Sequence, residues 1–415
     1  MAEERSTLAH DMAERVARQS YGKLVAFIAA RTRDVASAED ALSEAFAAAL
    51  VDWPKNGCPQ NPEAWLLTAA RRKAIDVYRT RQRHDLAADE IVAMNEELQS
   101  GGEHSQIPDQ RLALMFACAH PAIDAGIRAP LILQTVLGLD AKAIGSAFLM
   151  SPAAMSKRLV RAKEKIKVAG IPFVIPEWEE LPEKIDAVLD AIYAAFTEGW
   201  TDPAGTDAAR RDLAEESLFL ARLVTELLPN APEAHGLLAL ILYADGRRKA
   251  RRTKEGEFVP LADQDTQLWD SAMITEAEEL LVRAGQMRCP GRYQLEAALQ
   301  SAHVHRVRTG EWNWPEILQL YDVLLTMTDS PVVALNRAVA VAEIDGPEAG
   351  LKILEQLRHG ERLSQYQPYW VVRAELLSKI GEQAEARKAY EMAIGLEHDS
   401  AVRRFLQKRK ASLNS

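Results

Sequence analysis

An all-α fold is what this sequence of 415 residues predicts, and three observations carry that prediction. Apolar residues recur at helical spacing: Met155, Leu159, Ala162 and Ile166 stand 4-3-4 apart and share one stripe. Good caps stand where such stripes begin, as at Ser151-Pro152 and Asn61-Pro62. Beyond residue 176 the chain reads as helices with short Gly, Pro and Asp breaks, near Glu183–Thr197, Asp207–Leu228, Pro232–Tyr243, Thr266–Ala284, Tyr293–Thr309 and Pro315–Thr328.

Length predicts more than one domain, because single cores stop growing well below this size. An apolar share of 48% and a charged share of 27% are those of a soluble globular protein. The N-terminus is charged, and no stretch reaches the roughly 18 apolar residues of a membrane span, so a cytoplasmic protein without a membrane partner is expected. Cys58, Cys118 and Cys289 are odd in number and far apart, which argues against a disulfide framework or a zinc site. Cys118-Ala119-His120 reads as a buried thiol beside a helix-ending His-Pro. The net charge of −10 is unevenly spread: residues 1–170 carry 22 basic and 21 acidic side chains, against 28 and 39 in residues 171–415. That asymmetry suggests two parts with different partners.

The first 84 residues read as three helices. Tyr21–Arg33 turns Leu24, Phe27 and Ile28 inward. Ser37-Ala-Glu-Asp40 matches a capping box with Asp in the usual Glu position and opens a helix through Leu50. Its apolar face leaves Glu39, Asp40, Ser43 and Glu44 as an exposed acidic face, and Asp52–Gly57 is expected to break it. On the third helix, Leu66, Ala70, Ala74 and Val77 point inward, while Trp65, Thr68, Arg72, Asp76 and Arg79 line another face. From Arg71 to Arg83 six basic residues, including Lys73, oppose only Asp76. A basic helix beside Trp65 and Tyr78 suits phosphate contact with base stacking, the combination that holds single-stranded DNA. A charged helix end with a structural Trp is the alternative.

Residues 85–108, acidic and without Lys or Arg, read as a flexible linker with Gly101-Gly102 inside it. A second helical domain, residues 109–170, ends in Leu137–Lys167. There two helices flank a tight turn at Phe148–Met150, and the second carries six Lys or Arg against Glu164 alone. A short helix held on one side and basic on the other fits the second helix of a helix-turn-helix, which lies in the DNA major groove. The alternative is an amphipathic hairpin with a solvated basic face.

In their order these parts resemble the extracytoplasmic-function (group 4) sigma factors of bacterial RNA polymerase, over about residues 10–170. Ala38–Phe46 looks like that family's helix docking on the coiled coil of the β′ subunit. Asn61–Leu66 and Ala70–Asp76 look like its promoter-melting, −10-element helix, and Met155–Lys163 like its −35 recognition helix. Arg72 stands where the family often has Asn, Ser156 where several members have Arg, and Ser43 where Gln is usual. The resemblance implies core RNA polymerase and promoter DNA as partners. It implies that Glu39, Asp40 and Glu44 face the polymerase, that Trp65, Arg71, Arg72, Lys73 and Arg79 bind and open the −10 region, and that Ser156, Lys157, Arg158 and Arg161 reach the −35 major groove. Residues 1–84 would be region 2 and residues 109–170 region 4.

Residues 171–415 exceed what such a factor needs. Ile171–Pro176 is a proline-flanked connector. Pro331–Leu357 and Pro368–Ile394 then each read as a helical hairpin, with Gly346 and Gly381 35 residues apart at the turns. That period is close to the tetratricopeptide (TPR) repeat, so a helical array is expected, and the resemblance extends to the subgroup with a C-terminal TPR-like extension. The expected role of this array is regulatory. Within it Asp245–Arg252 is a cationic run, and Arg247, Arg251, Asp265 and Trp200 mark a candidate site for a protein or an anionic ligand. An internal ion network to Asp263, Asp265 or Asp270 is the structural alternative. No nucleophile–base arrangement, phosphate loop or metal-ligand set appears, so no enzyme, cofactor or metal is expected. Two other functions fit less of the chain: a helix-turn-helix regulator acting without polymerase, and a TPR-type scaffold.

Overall fold

The computed structural model describes residues 2–81, 110–148, 150–174, 181–200, 208–310, 313–357 and 361–413. Among these the regular structure is helical, as expected, apart from one isolated antiparallel bridge between Arg252 and Phe258. The expected acidic linker, residues 85–108, lies outside the described residues. The chain forms two compact units: Met1–Asp202 with Asp207–Leu220, and Pro203–Thr206 with Ala221–Ser415.

The first unit opens with α1 (Ala2–Thr32), α2 (Val35–Asn56) and α3 (Pro62–Arg81), each packed on the other two. Leu24, Phe27, Leu42, Ala45 and Leu66 are buried in this group. Two local details differ from the sequence expectation. The cap of α2 is Asp34, whose carboxylate accepts the Ser37 amide at 3.0 Å and the Ser37 hydroxyl at 2.6 Å. Asp34 therefore takes the donor that a cap at Ser37 would have left to later residues. The helix also runs past Leu50 to Asn56, with Pro54 inside it, before Gly57 ends it at φ 91°. Trp53 explains the extra turn: it is fully buried, and its ring meets Trp65 edge-on at 5.6 Å. That burial offsets the amide lost at Pro54. The cap of α3 is as expected, with Asn61 accepting the Ala64 amide at 3.1 Å.

Then follow α4 (Arg111–Cys118), α5 (Ala125–Leu137), α6 (Ala141–Ala147), α7 (Pro152–Val168) and α8 (Leu181–Trp200). Cys118 is buried against the Thr135 hydroxyl, and burial pushes its thiol up to about 12. The contact between α1 and α5 is unusually close. A Cβ on Gly22 would stand 1.7 Å from the Val136 carbonyl oxygen, so only glycine permits it. After α7, Ile171 and Phe173 are buried, and α8 lies on α4 and α5. Compactness thus carries the first unit past residue 170. The part of α9 (Ala208–Leu227) up to Leu220 completes it with Glu216, the ion-pair partner of Arg111, whose guanidinium lies 4.7 Å from the Phe219 ring.

In the second unit helices stack on their chain neighbours: α10 (Pro232–Asp245), α11 (Ser271–Gln286), α12 (Arg292–Thr309), α13 (Trp314–Thr328), α14 (Pro331–Asp345), α15 (Pro347–Leu357), α16 (Glu361–Ser364), α17 (Gln367–Lys379), α18 (Gln383–Leu396) and α19 (Ser400–Ser412). Both expected hairpins form, α14–α15 and α17–α18, with Gly346 and Gly381 at φ 97° and 84° in their turns. They share a core of Ala338, Leu354, Tyr369, Ala374, Tyr390 and Ala393. Glu233 ties α10 to α12 by accepting the Tyr293 and Gln294 amides at 2.8 and 3.1 Å.

Candidate nucleic-acid interface

The pair α6–α7 is set by short-range chemistry. Asp140 accepts the Lys142 and Ala143 amides at 2.9 and 2.7 Å and starts α6. Gly145 accepts the Met150 amide at 2.8 Å, and a Cβ there would stand 2.7 Å from the Met150 carbonyl oxygen, so the tight turn requires the glycine. Ser151 caps α7 through the Ala154 amide at 3.3 Å. Met155, Leu159, Ala162 and Ile166 are buried, as the spacing predicts.

With that stripe inward, Ser156, Lys157 and Arg161 are exposed on the outward side. Arg158 is turned aside: its guanidinium donates to Asp124 at 2.9 Å and to the Met150 sulfur at 3.3 Å. The sequence reading missed Val160, which is 65% exposed four residues after Ser156. Its i+4 position was the available signal. An exposed apolar side chain among cations suits contact with a thymine methyl in a groove.

On α3, Arg72 is exposed and Arg71 half-buried, and burial lowers the Arg71 guanidinium. Trp65 is half-buried with its ring against Trp53, so part of its surface is committed to the core. The side chains of Lys73 and Arg79 lie outside the described residues.

The acidic face of α2 is only partly open. Asp40 and Glu44 are exposed, but Glu39 is not, contrary to the sequence expectation. Its side chain is 17% exposed and accepts from Lys163 of α7 at 2.6 Å, with Lys163 itself 11% exposed. Burial raises the Glu39 carboxyl despite the opposing Lys163 charge. One turn on, Lys167 reaches Asp34 at 2.9 Å. Burial alone would raise Asp34, but hydrogen bonds from Ser37 and Lys167 outweigh it and hold the carboxyl below its ordinary range. No local pattern announces a pair 124 residues apart.

The four residues singled out in the C-terminal part are divided between the two units. Trp200 belongs to the first unit, where it stacks on Phe196 at 5.5 Å. In the second, Asp265 caps its own short turn by accepting the Gln267 amide at 2.9 Å, and Asp270 caps α11. The alternative of an ion network to these acids therefore does not engage Arg247. That guanidinium is 8% exposed and donates to the Tyr243 carbonyl at 2.7 Å and to Gln300 at 2.6 Å. Burial lowers both Arg247 and Arg251 to about 10, and at Arg251 the neighbouring arginines add to the effect. Among the described residues no group of three or more His, Cys, Asp or Glu is placed to hold a metal ion. No described helix is long and apolar enough to cross a membrane.

Residues 16–84, which contain α2, α3 and most of α1, match the family model for sigma-70 region 2. Residues 16–84 thus carry a sigma-70 region 2 domain. Residues 184–285 match a family of unknown function, DUF6596. An uncharacterized protein of Rhizobium meliloti (strain 1021) is 38% identical over 394 residues, covering 94% of this chain and 92% of that protein. The chain and that relative therefore belong to one family along nearly their whole length. No solved structure matches.

Proposed function

We propose that this sigma-70 family factor directs promoter-specific transcription initiation as a group 4 factor whose C-terminal helical array is TPR-like and regulatory. The observation that carries the reading is the pairing of two basic helices in one unit, α3 within the region 2 match and α7 with Ser156, Lys157 and Arg161 outward. In this reading residues 109–170 are region 4 and α6–α7 its helix-turn-helix. Lys157, Arg158 and Arg161, with Ser156 and Val160, meet the −35 major groove. Trp65, Arg71, Arg72, Lys73 and Arg79 hold the opened −10 strand. Asp40, Glu44 and Glu39 face the coiled coil of the β′ subunit. Residues 85–108 link the two DNA-reading parts, and the factor works in the cytoplasm without a cofactor or catalysis of its own. In the C-terminal unit, buried cations at Arg247 and Arg251 suit an acidic protein segment or small anion. Co-purification with core polymerase and run-off transcription test the main reading. Promoter-dependent initiation is the expected result, and no initiation from any genomic fragment overturns it. Truncation after Leu220, where the first unit ends, tests the C-terminal unit, and equal activity of both chains removes its regulatory role.

A further inference from the structure

Arg111 and Arg247 are buried to the same depth, 7% and 8% exposed, yet their charges are met differently. Arg111 has the Glu216 carboxylate. Among the described residues Arg247 bonds only to neutral oxygens, the Tyr243 carbonyl and Gln300 Oε1. Its guanidinium, lowered to about 10, is still charged at neutral pH, and a buried charge calls for a counter-charge. The acids of this region are committed: Asp245 holds Arg248 at 2.7 Å, Asp399 holds Arg252, and Asp265 and Asp270 cap their own turns. The surroundings are instead cationic. Burial, then the charges of Arg252, Arg247 and Arg248, lower Arg251. Burial, then the charges of Arg247 and Arg306, keep His303 of α12 neutral at physiological pH. Buried donors lie in the same corner. The Asp270 amide donates to the Gly246 carbonyl at 2.8 Å, which brings Trp269 alongside the start of the arginine run. Trp269 is 7% exposed, and its Nε1, like Arg252 Nε, is buried with no acceptor among the described residues. A buried indole N–H ordinarily has one.

We propose that Arg247 and Arg251, with the Trp269 indole N–H, form an oxyanion site of the second unit that takes a phosphate group, free or at the end of a small phosphorylated molecule. The proposal rests on the reading of these buried cations as a ligand site, and it is independent of the polymerase reading. Phosphate fits the corner better than a carboxylate does. It brings a charge of about −1.5 to −2 where arginine charges dominate, and its three terminal oxygens accept from several donors at once. A guanidinium only 8% exposed admits a small head group rather than a polypeptide segment.

Calorimetric titration of the full chain with inorganic phosphate and with glycerol 3-phosphate, at constant ionic strength, tests the site. Binding is the expected result, and Arg247→Met should weaken it at least about tenfold, as loss of a charge-assisted hydrogen bond implies. The tighter of the two probes identifies the source of the phosphate group. His303 gives a readout that needs no variant: a bound anion offsets the charges of Arg247 and Arg306, so saturating probe should raise the imidazole in an NMR titration of the wild-type chain. Phosphate binding that Arg247→Met leaves unchanged, or a His303 that does not move at saturation, overturns the proposal. Binding of acetate or of a polyglutamate peptide, but of neither phosphate probe, overturns the phosphate assignment and leaves the ligand-site reading in place. No binding of any of the four probes overturns both, so the two failures are distinguishable.

Discussion

Arg252 and Asp399, 147 residues apart in sequence, form an ion pair that closes the second unit on itself. The short turn after Arg252 completes the closure. Glu257 holds Arg404 at 2.9 Å and Lys408 at 3.1 Å, and Phe258 meets Phe405 edge-on at 5.4 Å. A simple stacked array joins only neighbouring repeats. Here the last helix returns to a loop near the start, so the unit should unfold cooperatively. Asp399 also caps α19 through the Ala401 and Val402 amides. Asp399→Ala should therefore lower stability by about 2–3 kcal/mol, from the lost cap and from a nearly buried Arg252 left without its counter-charge. Arg252→Met in the same chain should recover part of that loss. A double-mutant cycle by urea unfolding checks the coupling, and additive effects would show that the pair contributes nothing.

What was legible in the sequence was whatever a few neighbouring residues decide. Ser151, Asn61 and the stripe Met155–Ile166 satisfy their own backbone and face, so caps and periodicity located α3 and α7 correctly. Asp34 and Ser37 show where this stops. Both are good capping residues, and the choice of Asp34 is reinforced by Lys167 from a distant helix. The exposed acidic face was misread at Glu39 for the same reason, since Lys163 arrives from 124 residues away. Val160 was within reach of periodicity, but an apolar residue between arginines reads as core until its neighbours on the buried stripe are counted.

Arg158 gives a prediction about affinity. Its pair with Asp124 is exposed, with 72% of the Asp124 side chain open to water, and such pairs contribute only about 0–1 kcal/mol. DNA phosphates or base edges should therefore compete for the guanidinium easily. Asp124→Asn should strengthen binding to a −35 duplex by up to about fivefold. Lys157→Ala and Arg161→Ala should each reduce the slope of log affinity against log salt by about one if they meet phosphates. Titrations between 50 and 200 mM salt separate these effects, the concentrations being about those where phosphate contacts weaken most. An unchanged slope in both alanine variants would place these side chains outside the DNA contact.

His303 gives the second unit an acid sensitivity. Burial, then the charges of Arg247 and Arg306, lower its imidazole from the ordinary 6.5 to about 4. The unfolded chain therefore takes up the proton first, and acid favours unfolding. Stability from this group is complete above about pH 6.5 and is lost as pH falls toward 4, by at most about 3 kcal/mol. His235, lowered by burial and held by the Pro229 carbonyl at 2.9 Å, acts in the same direction. Urea unfolding at pH 7 and pH 4.5 should show the drop, and His303→Gln should flatten it. An identical slope in the variant would assign the acid loss to other groups.

The acids of α2 should not behave alike toward core polymerase. Asp40 is exposed, so Asp40→Lys should weaken association by about tenfold at low salt and by less as salt screens the contact. Glu39 has two opposed roles, because Lys163 holds it here and the proposed function turns it toward the polymerase. Glu39→Gln removes an attraction to the clamp and also removes the charge that keeps α7 in place. Its net effect should be several-fold smaller than that of Asp40→Lys. Combined with Lys163→Ala, which removes its partner in α7, the same substitution should lose its compensating benefit and weaken binding by a larger factor. Polymerase binding by the four chains, wild type, Lys163→Ala, Glu39→Gln and the double variant, measures that non-additivity. Strict additivity would mean that Glu39 serves only one of the two partners.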